Sequence, residues 1–218
     1  VLKGVRPGDW VLIELGHNDN GPYDSGRARA SIPGIGTDSL NVTIKETGVK
    51  ETVYTYGEYM RRFVRDVKAK GAHPILVTPT SRRRFDENGK SVNTHGDYPD
   101  AVRWVAAKEN VPLIELNGMT AILFNALGVD NSTKAFVHYP AGTFPGQTRT
   151  LKDNTHFSTY GAYEVSKCVI EGMKKADLEI VKYLRPDYSG FDPAQPDSFE
   201  SFKWNLGSFT ENEKPDGN

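Results

Sequence analysis

Short apolar runs alternate with amphipathic helical patterns along this chain, and this alternation constrains the fold more than any other feature. Each run has the length of one buried strand and is followed by a polar loop and then by a segment with helical spacing. The runs are residues 10–15, 74–78 and 112–116. The pattern predicts an α/β fold whose functional residues gather at the carboxyl ends of parallel strands.

The remaining segments complete this prediction. Apolar residues at spacings of three and four predict helices over residues 56–70, 99–109, 119–127 and 159–175. Ser158 is expected to cap the last helix, and Gly71 to close the first. Alternating β-branched and polar residues over 41–55 predict a small hairpin. We expect one domain over residues 1–184 and a surface-wrapping tail over 185–218 whose last ten residues are frayed.

Charge and composition exclude several classes of partner. Lys and Arg number 27 against 28 Asp and Glu, so the net charge of −1 indicates neither a nucleic acid nor an anionic membrane as partner. Every apolar run is far shorter than the roughly 18 residues of a membrane span. The single cysteine, Cys168, excludes a disulfide within the chain.

The first polar block that can carry chemistry, Gly16-His17-Asn18-Asp19, directly follows the first predicted strand. Gly, Asn and Asp are turn formers, so the block is also consistent with a simple turn at the end of a strand. The chemical alternative is that the Asn18 amide donates a hydrogen bond to a developing oxyanion. A short side chain suits this role because it loses little entropy on being held in place.

The second block, Asp153-Asn154-Thr155-His156, is predicted to lie in a long loop just before the last helix. It is consistent with an ordinary polar loop. It also suits a base and its orienting carboxylate, in which Asp153 accepts from the imidazole Nδ1–H of His156 and leaves Nε2 free to take a proton. Spacing alone does not decide between these alternatives.

Together the two blocks resemble those of the SGNH (GDSL-like) hydrolases, which carry Gly-x-Asn-Asp after the third strand and Asp-x-x-His before the final helix. The sequence around them, over residues 11–19 and 156–162, is most similar to the rhamnogalacturonan acetylesterases of carbohydrate esterase family 12. The resemblance covers about residues 6–175. It implies a doubly wound parallel sheet in a flavodoxin-like, three-layer α/β/α fold.

The resemblance also implies an activity, which is a serine esterase that removes O-acetyl groups from pectic polysaccharide through an acyl-enzyme. By the same resemblance His156 is the general base and then acid, Asp153 orients it, and Asn18 belongs to the oxyanion hole. The chemistry needs no cofactor. We expect no metal either, because the five histidines lack the spacing of a zinc site. The polysaccharide substrate implies a periplasmic or extracellular location.

The family's Gly-Asp-Ser block, which supplies the nucleophile, is absent from these 218 residues, and Gly8-Asp9-Trp10 has the wrong third residue. The chain opens on what reads as the end of a helix. We therefore expect the sheet to be seen without its first strands, and the serine to come from an N-terminal segment that is absent here or is a separate chain. The alternative is a non-catalytic, carbohydrate-binding pseudoenzyme.

Three further residues are candidates for substrate binding. Arg82 begins a run of three arginines after the second strand; the run is either a solvated face or a contact for uronic-acid carboxylates. Tyr139 precedes the second block and suits stacking on a sugar ring. His17 lies within the first block. An acetylated xylan or a small acetylated sugar is the alternative substrate.

Overall fold

The computed structural model describes residues 2–26 and 30–203 of the chain. Its strands, in chain order, are β1 (Trp10–Ile13), β2 (Ser39–Thr43), β3 (Lys50–Tyr54), β4 (His73–Val77), β5 (Leu113–Ile114), β6 (Phe136–Tyr139) and β7 (Leu151–Phe157). Its α-helices are α1 (Tyr56–Ala69), α2 (Tyr98–Glu109), α3 (Leu116–Asn131) and α4 (Thr159–Lys175). Single helical turns of the 3₁₀ type cover Leu2–Gly4, Ser132–Ala135 and Glu179–Tyr183.

A parallel sheet in the order β1-β4-β5 forms the centre of the fold. All three of its strands lie at the predicted apolar runs. β1 ends two residues earlier than predicted, and β5 is only two residues long because α3 begins already at Leu116. β4 is buried along four of its five residues, as expected for a strand paired on both edges.

Helices cover both faces of this sheet. Leu76 of β4 packs in one apolar cluster with residues of α1 and α2, while its neighbours Ile75 and Val77 pack in a second cluster with residues of α3 and α4. This alternation follows from the pleat, which points successive side chains to opposite faces. The prediction of a three-layer α/β/α arrangement is confirmed.

Local signals located the helices well. Thr55 caps α1 by accepting from the Glu58 backbone at 3.0 Å, and Ser158 caps α4 by accepting from Gly161 at 3.1 Å. α3 is longer than predicted, but it is interrupted at Gly128, whose φ of 72° and ψ of 178° are not helical. The predicted end after residue 127 therefore coincides with this kink. The predicted hairpin is also confirmed, as the antiparallel pair β2–β3.

The prediction that the second polar block lies in a loop was wrong. Residues 153–156 belong to β7, which pairs antiparallel with β6 in a sheet of its own. The strand was missed because its sequence, Leu-Lys-Asp-Asn-Thr-His-Phe, is rich in polar residues. Its extended conformation depends on pairing with β6, eleven residues upstream in the chain.

Residues 185–203 run along α4. The Glu171 carboxylate accepts from the Tyr188 hydroxyl at 2.9 Å and from the Phe191 backbone at 3.1 Å. Farther along, the ammonium group of Lys167 binds the Asp197 carboxylate at 2.8 Å. The end of the chain that was predicted to fray lies outside the described residues.

One edge of β1 pairs with β4, and in the described part of the chain no strand pairs with the other edge. Leu12 of β1 and Leu15, two residues beyond the end of the strand, are 39% and 42% exposed. Apolar side chains on an open strand edge are uncommon, because such an edge invites pairing with another strand. No helix in the described part of the chain is long and apolar enough to cross a membrane.

Candidate active site

The first block of the site is a sharp turn at the carboxyl end of β1. Gly16 has a φ of 135°, and a Cβ added there would lie 3.2 Å from Cβ of Pro79, which follows β4. Only glycine combines this backbone conformation with so close an approach. The preceding Leu15 carbonyl accepts from the buried Tyr56 hydroxyl at 2.9 Å, so the turn begins at a fixed point.

Buried partners hold the rest of this block. Asp19 accepts from the Ser31 hydroxyl at 2.9 Å, and its carbonyl accepts from the Tyr98 hydroxyl at 2.9 Å. Burial raises the pKa of Asp19, while the bond from Ser31 opposes that rise. Asn18 is exposed, so its amide is available to a ligand.

The ring of His17 packs at a tilt against that of a second histidine, His95, with ring centroids 4.6 Å apart. His95 is 2% exposed, and its Nε2 lies 2.8 Å from the Thr80 carbonyl oxygen, which requires the proton on Nε2. Burial lowers the pKa of both rings. No role was predicted for His95, because a single histidine in a polar segment carries no signal that it lies beneath another block.

The second block is a bulge in the β6–β7 hairpin. Phe136 pairs with Phe157 and His138 with Lys152, so a single residue of β6 lies opposite residues 153–156 of β7. A bulge bends its strand and redirects the side chains it carries. Here the four residues of the polar block have no register partner among the residues of β6.

Within the bulge, Asp153 and His156 form the predicted contact. Oδ2 of Asp153 lies 2.6 Å from Nδ1 of His156, and Oδ1 accepts from the backbone N–H groups of Thr155 and His156 at 2.7 and 3.0 Å. Burial opposes ionisation, but these hydrogen bonds and the facing imidazole hold the pKa of Asp153 at about 2. A charged carboxylate on Nδ1 leaves Nε2 of His156 as the outward-facing nitrogen, on a side chain 76% exposed.

Both blocks are bonded to the segment that follows β4. Arg82 donates to the His17 carbonyl at 2.7 Å, and the backbone N–H of the next residue, Arg83, donates to the Asn154 carbonyl at 2.8 Å. The charges of Arg82 and His156 add to burial in lowering the pKa of His17. Adjacent residues of one segment therefore bring the block of Asn18 and the block of His156 to the same end of the sheet.

Tyr139 lies farther out on the hairpin, with its ring packed edge-on against Phe144 at a centroid distance of 4.9 Å. It lines an open cleft of about 370 Å³ together with His138, Ser158, Tyr160, Phe199 and Phe202. Two serines near the strand ends, Ser31 and Ser81, already have hydrogen-bond partners within the protein. Ser31 donates to Asp19, and Ser81 accepts from the Asn117 amide at 3.3 Å. Within residues 2–26 and 30–203, no group of three or more His, Cys, Asp or Glu side chains could hold a metal.

Comparison with known proteins decides the family. The model of the GDSL-like Lipase/Acylhydrolase family matches residues 3–169. The chain belongs to this family. Rhamnogalacturonan acetylesterase RhgT of Bacillus subtilis (strain 168) is 34% identical over 184 residues, which cover 84% of this chain and 68% of that protein. A probable rhamnogalacturonan acetylesterase of the same organism, YesY, is 30% identical over 84% of this chain and 70% of its own.

A solved structure supports the fold. The crystal structure of Bacillus subtilis YxiM, 25% identical, superposes with a TM-score of 0.55 over 82% of this acylhydrolase chain and 40% of its own. The prediction of an SGNH hydrolase close to the rhamnogalacturonan acetylesterases is confirmed, as is its fold class. The roles given to Asp153, His156, Asn18, His17, Arg82 and Tyr139 remain predictions.

Proposed function

We propose that this acylhydrolase removes O-acetyl groups from rhamnogalacturonan, a pectic polysaccharide. The observation that carries the proposal is the contact between Asp153 and His156, in a block that the segment after β4 joins to the block of Asn18. Relatives named as rhamnogalacturonan acetylesterases, at 34% and 30% identity, support the choice of substrate.

In the proposed mechanism, a serine hydroxyl attacks the acetyl carbonyl while Nε2 of His156 takes the hydroxyl proton. Asp153 stabilises the imidazolium, and the Asn18 amide donates to the oxyanion of the tetrahedral intermediate. The intermediate collapses when His156 returns its proton to the departing sugar oxygen. Water then attacks the acetyl-serine with His156 again as base, releasing acetate and restoring the serine.

We propose that the serine belongs to a segment outside these 218 residues. No Gly-Asp-Ser occurs in the sequence. The open edge of β1, with Leu12 and Leu15 exposed beside the Gly16 turn, supports the addition of a strand next to the site. Such a strand would end at the same edge as β1 if it ran parallel to it, which would bring its following loop to His156.

The substrate contacts are proposed on position and chemistry. One terminal nitrogen of Arg82 donates to the His17 carbonyl, so the other N–H groups of the guanidinium can bind a uronic-acid carboxylate. His17 lies between Arg82 and Asn18, where it can contact the acetylated sugar. Tyr139 offers its half-buried ring to a more distant sugar. A cell-wall substrate of this kind favours a periplasmic or extracellular enzyme.

The test is acetate release by the polypeptide encoded by the whole gene, with acetylated rhamnogalacturonan, acetylated xylan and glucose pentaacetate as parallel substrates. We expect the highest kcat/KM on rhamnogalacturonan, and loss of that activity in His156→Ala. Preference for xylan or for the small sugar would replace the substrate. Binding of rhamnogalacturonan without any acetate release would favour the carbohydrate-binding alternative.

A further inference from the structure

In the part of the chain that the structure describes, one arginine makes the hydrogen bonds between the segment after β4 and the bulge that carries Asp153 and His156. Within the described residues, both hydrogen bonds between residues 153–156 and the segment after β4 come from Arg83. Its backbone N–H donates to the Asn154 carbonyl at 2.8 Å, and its Nη1 donates to Asn154 Oδ1 at 3.1 Å. Among the described residues, every hydrogen-bond partner of the Asp153 carboxylate lies within the bulge.

The other donors of Arg83 reach the start of the same hairpin. Nε donates to the hydroxyl of Ser132 at 2.9 Å, and Nη2 donates to the carbonyl of Val129 near the end of α3. Ser132 is fully buried and begins the 3₁₀ turn that leads directly into β6. One guanidinium therefore contacts the chain that enters the hairpin and the bulge that leaves it.

The Asn154 amide is held on both sides. Because an arginine can only donate, the amide atom that faces it must be the oxygen. The same Oδ1 lies 2.8 Å from Nε2 of His138, which must therefore be the protonated nitrogen. Asn154 lies between the two residues of the dyad, so fixing it restrains both neighbours.

Arg83 is partly buried, which lowers its pKa, and the charge of Asp130 opposes this lowering. The shape of its side chain suits the positioning role. A planar fork of five donors can bind three oxygens on two segments at once, which a lysine ammonium on a flexible stem does not reproduce. Arg83 belongs to the run of arginines that the sequence offered as a solvated face or a substrate contact, and its contacts match neither alternative.

We infer that Arg83, acting through Asn154, is a positioning residue that holds the Asp153–His156 bulge in place against the carboxyl end of the sheet. The expected effect on turnover rests on the proposed function; the effect on the histidine itself does not. Arg83 touches neither dyad side chain in its hydrogen bonds, so it acts only through the placement of the bulge.

The first measurement is steady-state hydrolysis of p-nitrophenyl acetate and acetylated rhamnogalacturonan by the whole-gene protein. Arg83→Met should lower kcat on the order of 10–100-fold with KM changed by less than about threefold, because the base is misplaced while the sugar contacts remain. Arg65→Met is the matched control, since Arg65 is an exposed residue of α1 that pairs with Glu109, and it should leave kcat unchanged.

The second measurement needs no activity. Nitrogen chemical shifts of His156 report which ring nitrogen carries the proton, and the contact with Asp153 requires Nδ1–H. Arg83→Met and Asn154→Ala should both convert this single tautomer into a mixture. Asn154→Asp keeps the acceptor and should retain the single tautomer, while its added negative charge moves the acid limb of kcat/KM to higher pH by stabilising the imidazolium.

The outcomes separate the two hypotheses. A wild-type protein that cleaves neither ester, together with loss of the tautomer in Arg83→Met, would overturn the proposed function and support the positioning role. Unchanged kcat and an unchanged tautomer in a folded Arg83→Met would overturn the positioning role. If Arg83→Met does not fold, Arg83→Lys and Asn154→Ala give the same readings, and wild-type behaviour in both would likewise reject it.

Discussion

The two blocks of the candidate site are held in opposite ways. The block at Gly16 is anchored by side chains distant in sequence, as when the Tyr98 hydroxyl donates to Asp19, 79 residues away. The dyad at Asp153 is held by hydrogen bonds that span no more than three residues. One half of the site therefore depends directly on the packed core, whereas the other is closed by local hydrogen bonds within a turn that Arg83 restrains through Asn154.

The histidine of the first block is also less exposed to solvent than the histidine of the second block. His17 is half-buried over His95, while His156 is 76% exposed. Substitutions in the second block should therefore change activity and leave stability almost untouched. Substitutions around the first block should change stability as well.

We expect His156→Ala to have the strongest effect on activity, and a loss of stability in this variant would contradict the contrast between the two blocks. Loss of the base should lower kcat for acetate release by on the order of 10⁴ or more, as for other members of hydrolytic triads. The free energy of unfolding should change by less than about 0.5 kcal/mol, because the side chain is exposed. Acetate assays and thermal melts measure the two quantities. Comparable activity in wild type and variant would reject His156 as the base.

Asp153→Asn isolates the orienting role within the second block. The amide oxygen can still accept from the backbone of Thr155 and His156, so the bulge should persist. The amide cannot stabilise an imidazolium, and kcat should fall by on the order of 10³–10⁴. Circular dichroism and acetate release test this together. Retention of wild-type kcat would show that the carboxylate is a structural cap alone.

Asn18→Ala probes the first block by removing a single oxyanion donor. We expect kcat to fall by on the order of 10²–10³, less than for the dyad, because other donors remain in such sites. KM should change little, since the bond strengthens only as the oxyanion forms. An unchanged kcat would leave the block as a strand-ending turn.

Tyr98→Phe tests the dependence of the first block on distant partners. The variant leaves the Asp19 carbonyl without its donor at a half-buried position, and it should cost about 1–2 kcal/mol in the free energy of unfolding. Urea denaturation measures this cost. Thr155→Ala is the counterpart in the second block and should cost less than about 0.5 kcal/mol, because its backbone rather than its side chain binds Asp153. Equal costs would remove the contrast between the blocks.

The smallest expected effect is on stability in acid. The pKa of Asp153 is about 2 in the folded protein against an ordinary 3.8, so its contribution to stability is present above about pH 4 and is lost as the pH falls towards 2. Solvent screening keeps this contribution small, because the side chain is about one-third exposed. The difference in unfolding free energy between wild type and Asp153→Asn should therefore shrink as the pH falls from 5 to 2. A constant difference would contradict the lowered pKa.

Elements with strong local signals were predictable, including the β2–β3 hairpin, whereas the β6–β7 hairpin was not. The cap at Ser158 and the spacing of apolar residues located α4 to the residue. The β6–β7 hairpin escaped because neither of its strands alternates clearly and the intervening segment, residues 140–150, resembles a loop. His95 and Arg83 were likewise missed as parts of the site, since a buried histidine and an anchoring arginine are defined by their neighbours.

The α/β class, the positions of the main strands and helices, and the contact between Asp153 and His156 could all be read from the amino-acid sequence. Each of these depends on residues a few positions apart, where local hydrogen bonds and periodic burial suffice. The folded chain was needed to show that the dyad lies on a bulged strand, that His17 lies over His95, and that Arg83 joins the hairpin to the sheet. These features depend on groups brought together from distant parts of the chain, and the energy of such contacts exists only once the core has packed.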